Sequence, residues 1–72
     1  MKKRSFSIAG HRTSIALEEE FWSALEEEAR KDNLSLAALI AKVDAARAGN
    51  NLASALRVHV LTRELGKSRP PA

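Results

Sequence analysis

The sequence predicts a mainly α domain with a short N-terminal β-ribbon, assembled as an intertwined homodimer that shares a two-stranded antiparallel sheet. Three observations carry this. Residues Arg12 to Leu17 alternate, with Thr13, Ile15 and Leu17 on one face of a strand and Arg12, Ser14 and Ala16 on the other. Helical patterns then follow one another to the C-terminal tail, each with its own start or stop signal. Finally, 72 residues make only a small core, and chains this short need reinforcement. The chain has no cysteine and only His11 and His59 as imidazole ligands, so neither a disulfide nor a zinc site supplies it. One strand followed by helices leaves its backbone N–H and C=O groups without a ladder partner. The same strand from a second chain would satisfy them.

The elements read in order as one domain, 1–72. Residues 1–3 form a flexible basic arm and 4–17 the strand region. Within it, Phe6 and Ile8 fall on one side and Ser5 and Ser7 on the other. Ala9-Gly10-His11 interrupts, and Gly10 is free to take positive φ. It can close a short hairpin or form a bulge in one long bent strand.

Helix 1 spans 18–31. Glu18, Glu19 and Glu20 occupy the first turn, where the helix dipole favours negative charge. Phe21, Trp22, Leu25 and Ala29 form one apolar stripe, and Glu26, Glu27 and Glu28 read as a solvated face. Asn33 suits a left-handed C-cap with Leu34 as the apolar residue behind it. Ser35 is an N-cap for helix 2, which spans 35–48 with Leu36, Leu39, Ile40 and Val43 as its stripe. Gly49 ends it. Asn50 or Asn51 caps helix 3, 51–65, whose Leu52, Ala55, Leu56, Val60 and Leu61 are too many for one narrow stripe. His59, among them, reads as a hydrogen-bonded core histidine. Gly66 stops the helix and 66–72 is a tail.

The net charge of +3 is unevenly placed. Residues 1–17 carry Lys2, Lys3, Arg4 and Arg12 with no acid, whereas 18–31 carry six glutamates against Arg30 and Lys31. A basic ribbon beside an acidic helix suits a polyanionic partner. An enzyme is not expected: the chain lacks Cys, Tyr, a phosphate-binding glycine loop and a metal-ligand cluster. No cofactor is called for. No apolar run reaches the length of a membrane span, and no apolar region follows the basic start as in a signal peptide. The expected location is the cytoplasm, at the nucleoid.

Strand, helix, tight turn and helix, with Ser35 opening the second helix, resembles the ribbon–helix–helix superfamily of Arc/MetJ-type repressors over Arg12 to Ala48. The stretches Arg4 to Ser14 and Asn51 to Val58 are similar to a subgroup of small stand-alone bacterial members with an extended strand and a third helix. The resemblance implies a dimeric DNA-binding transcriptional regulator, its ribbon lying in the major groove. It implies base contacts from Arg12, Ser14 and Ala16. Phosphate contacts would come from the first-turn amides of Leu36 and Ala37 beyond Ser35, and from Lys2, Lys3 and Arg4 in the arm. The dimer core would comprise Ile15, Leu17, Phe21, Trp22, Leu25, Leu36, Leu39, Ile40, Val43 and Leu56. The family often carries three long polar residues on the ribbon, where this chain has short Ser14 and Ala16. The alternative is therefore a protein-interaction module of the same fold, or an antitoxin-like component, with little specific DNA binding.

Overall fold

The computed structural model describes residues 1–47 and 51–68. In chain order these form strands β1 (Lys2–Ile8) and β2 (His11–Leu17) and helices α1 (Glu19–Lys31), α2 (Leu36–Ala46) and α3 (Leu52–Ser68).

Strands β1 and β2 pair with each other as an antiparallel hairpin, from Ile8 opposite His11 at the turn to Lys2 opposite Leu17 at the open end. Ala9 and Gly10 both take positive φ, +52° and +81°, as a two-residue type I′ turn requires. The left-handed strain at Ala9 is tolerated because this turn matches the natural twist of the strands. The hairpin settles the choice left open at Gly10, and it changes two expectations. Lys2 and Lys3 are strand residues, not a flexible arm. And β2 finds a ladder partner inside its own chain, so the missing-partner argument for a second copy does not hold.

Helix α1 begins one residue later than expected, with Glu18 as an extended N-cap. Its end matches the sequence signal. Asn33 has φ +56°, its N–H donates to the Arg30 carbonyl, and the Leu34 N–H donates to the Ala29 carbonyl at 2.8 Å, which together make a Schellman cap. In the next residue, Ser35, Oγ accepts from the Ala38 N–H at 3.0 Å and starts α2. That helix stops at Ala46, short of the expected 48. Arg47 turns extended, and its guanidinium returns to Asp44 at 2.6 Å. Residue 48 and the expected stop at Gly49 lie outside the described residues. Asn51 is the cap of α3, its Oδ1 accepting from the Ser54 N–H at 2.8 Å. The helix does not end at Gly66 but runs on to Ser68. A glycine permits a left-handed stop without compelling one, and Gly66 is not among the positive-φ residues. Residues 69–72 of the expected tail lie outside the described residues.

The core lies between the inner face of the hairpin and the three helices. Leu17, Trp22, Leu25, Leu39, Ile40 and Leu56 are buried almost completely, with Ile8, Ile15, Ala29, Val43 and Val60 around them. Of the ten residues assigned to a core between two chains, eight are buried within one chain, and Phe21 and Leu36 pack against them half-buried. The hairpin and α3 contribute to this core alongside α1 and α2. Among the described residues, no buried side-chain polar atom lacks a hydrogen bond.

Candidate nucleic-acid interface

Alternation along both strands divides the hairpin into two faces. Phe6, Ile8, Thr13, Ile15 and Leu17 turn toward the helices. The cross-strand pairs Ser7–Arg12, Ser5–Ser14 and Lys3–Ala16 form the opposite face. Five of these six residues are exposed and Ala16 is half-buried. The face carries two cations and no acid. Ser5 and Ser14 sit opposite each other with their hydroxyl oxygens 3.1 Å apart, so neither is a fully uncommitted donor.

Backbone polarity follows the same division. A two-residue loop makes Ile8 and His11 a hydrogen-bonded pair, and bonded and non-bonded pairs alternate from there. The three outward pairs are the non-bonded ones. Their N–H and C=O groups therefore point to the two edges of the hairpin: Arg12, Ser14 and Ala16 on the β2 side, Lys3, Ser5 and Ser7 on the β1 side. Among the described residues, no backbone–backbone hydrogen bond from outside the hairpin reaches either edge.

The basic start of the chain is divided by this alternation. Lys3 faces outward. Arg4 turns inward: its guanidinium lies 5.1 Å from the Trp22 ring centroid and 3.4 Å from Glu26 Oε2. It links β1 to α1, with its side chain partly exposed. Lys2 shares the parity of Arg4, and its carbonyl accepts the Trp22 indole N–H at 2.9 Å.

Beyond the cap bond to Ala38 and the Leu39 N–H bond to the Ser35 carbonyl, the Leu36 and Ala37 amides of α2 have no acceptor within the helix. Their geometry is that of a helix N-terminus able to receive an anion.

A second charged cluster escaped the sequence reading. Glu28 is not on a solvated face: only 5% exposed, it receives His59 Nε2 at 2.7 Å and the Arg63 guanidinium at 3.2 Å. Arg63 also lies 3.7 Å from Asp32. A carboxylate can be this buried because two partners on α3 compensate its desolvation, so the cluster binds α3 to α1. No short-range signal links positions 31 residues apart. A second tie joins Arg57 to Glu18 at 3.0 Å, with the guanidinium 6.0 Å from the Phe21 ring centroid. The Glu18 carboxyl is held below the usual carboxylate range, first by its own backbone amide and then by Arg57.

Among the described residues there is no group of three or more His, Cys, Asp or Glu able to hold a metal ion, and no helix long and apolar enough to cross a membrane.

This arrangement of hairpin, capped helix pair and third helix has a family counterpart. The model of the ribbon-helix-helix domain matches residues 1–63, and the chain belongs to that family, which consists generally of non-enzymatic DNA-binding regulators. No curated protein and no solved structure gives a significant match.

Proposed function

We propose that this protein is a transcriptional regulator that binds double-stranded DNA as a homodimer through the outward face of its hairpin. The observation that carries the reading is the separation of the two faces. One is consumed by the core, and the other presents Lys3 and Arg12 among small polar residues with no acid nearby in the ribbon. Arg12 is the one long side chain on β2's outward face, and its two-pronged guanidinium suits guanine O6 and N7. Ser14 can donate or accept, and Ala16 can touch a thymine methyl.

The dimer follows from the open edge of β2, not from an unpaired strand. Two copies joined β2 to β2 make a four-stranded sheet with Arg12, Ser14 and Ala16 of both chains on its central pair. The outer β1 strands would then lie three strand spacings apart, about 14 Å. The major groove is about 12 Å wide. The central strands therefore face the bases, while Lys3, Ser5 and Ser7 sit over the phosphate walls. Leu36 and Ala37 amides at the α2 terminus would add phosphate contacts. With about four to six phosphates neutralised per dimer, the log–log dependence of affinity on salt has a slope of about −4 to −5.

One observation favours a second reading, docking of a protein partner on the same face: Ser14 and Ala16 are short, and Ser14 is engaged with Ser5. Fluorescence anisotropy with a mixed-sequence duplex, titrated at several salt concentrations, decides between them. Binding with the stated slope supports DNA as the partner. Absent or salt-insensitive binding removes it.

A further inference from the structure

Helix α3 is apolar on two opposite sides. Leu56 and Val60 on one side are buried in the core, with Leu52 beside them. Val58, Leu61 and Leu65 on the other are 60%, 52% and 67% exposed. A surface helix ordinarily carries one apolar stripe; here the second has no cover among the described residues. Together the three side chains leave on the order of 300 Å² of apolar surface, the size at which a patch is often functional.

The pattern of the stripe indicates its occupant. Positions 58, 61 and 65 alternate steps of three and four, the spacing of a helix–helix seam. One flank of the seam holds the small residues Ala55 and Thr62, which allow a second helix to approach. The other holds Arg57 and Glu64, opposite in sign and two turns apart. An antiparallel copy of the same helix, with Val58 level with its Leu61, brings Arg57 beside its Glu64 and Ala55 beside its Thr62. A parallel copy sets Arg57 beside Thr62 and loses that match. Arg57 can serve both partners, since its side chain is partly exposed where it meets Glu18. Buried on both copies, the seam supplies on the order of 600 Å². The flanking residues and the neighbouring groove between α2 and α3, where Val43, Ala46 and Val58 stand beside Lys42, Arg47 and His59, bring it toward the roughly 1,000 Å² a specific interface needs.

We infer that α3 docks antiparallel on α3 of a second copy of this chain through Val58, Leu61 and Leu65, an interface separate from the edge of β2. It does not rest on the DNA reading, and its tests are made without DNA. Sedimentation equilibrium at micromolar concentration compares the wild type with Leu61→Glu, a change at an exposed position that is expected to leave the circular dichroism spectrum intact. The wild type is expected to have twice the mass of the variant. Equal masses overturn the inference. Because the natural chain has no cysteine, the alignment can be read separately by mixing Val58→Cys with Leu61→Cys under oxidising conditions. Cross-linking in the mixture well above that of either variant alone supports the antiparallel seam. Self-cross-linking that equals it, or none, overturns it.

Discussion

Replacing Trp22 with phenylalanine asks what holds the hairpin on the helices. Trp22 is 1% exposed. Its ring centroid lies 5.8 Å from that of Phe6, and its indole N–H reaches the Lys2 carbonyl, the last residue pair of the ribbon. Phenylalanine keeps one ring and removes about three buried heavy atoms, worth about 2 kcal/mol at roughly 0.8 kcal/mol per methylene-sized group. The lost hydrogen bond adds at most about 1 kcal/mol, because the Lys2 carbonyl at the open end of the ribbon regains water. A total of about 2–3 kcal/mol lowers the melting temperature of a domain this size by roughly 10–20 °C. Thermal melts by circular dichroism read that shift. Amide hydrogen exchange should show β1 losing protection before α1 does. A melting temperature within about 3 °C of wild type, with β1 protection unchanged, would refute the assignment of Trp22 as the hairpin's anchor.

Other perturbations test the remaining joints. Ala9→Asn places the residue that type I′ turns favour at a positive-φ site and should stabilise by roughly 0.5–1 kcal/mol in a urea melt; destabilisation would contradict the turn. Ser35→Ala removes the α2 cap bond to Ala38 and should cost about 1 kcal/mol by the same measurement. Glu18 has a lowered folded pKa against an ordinary value of 4.5. The stability it contributes is therefore complete above that pH and is lost as the pH falls through the lower folded value. Glu18→Gln should flatten the fall in melting temperature between about pH 4.5 and the acid limit, while an unchanged profile would remove Glu18 as a contributor.

The local features were the legible ones. The Thr13–Leu17 parity, the Asn33 and Ser35 caps and the Trp22–Leu25–Ala29 stripe depend on residues within a turn or two of each other, so period and capping chemistry expose them directly. The hairpin was half legible: Gly10 marked the break, but whether Ser5 and Ser7 would oppose Ser14 and Arg12 depends on the turn closing with Ala9 at positive φ, a residue that seldom takes it. The placement of Lys3 outward and Arg4 inward follows from that closure. So does the loss of the argument that one chain cannot complete its own sheet. The Glu28–His59–Arg63 cluster was hidden because three consecutive glutamates look solvated until α3 is laid across one of them. The exposed side of α3 was hidden for the same reason. Its surplus of apolar residues was visible, but their division between core and surface is set by where the helix docks.

The role of the hairpin's outer face is tested most directly by footprinting across genomic DNA with the wild type and Arg12→Ala in parallel. The expected result is a short recurring motif with two-fold symmetry for the wild type. For the variant, affinity at that motif should weaken by about 1–3 kcal/mol and base preference should relax, with the fold intact by circular dichroism. The same motif bound equally well by both proteins would show that the ribbon is not the surface that reads DNA.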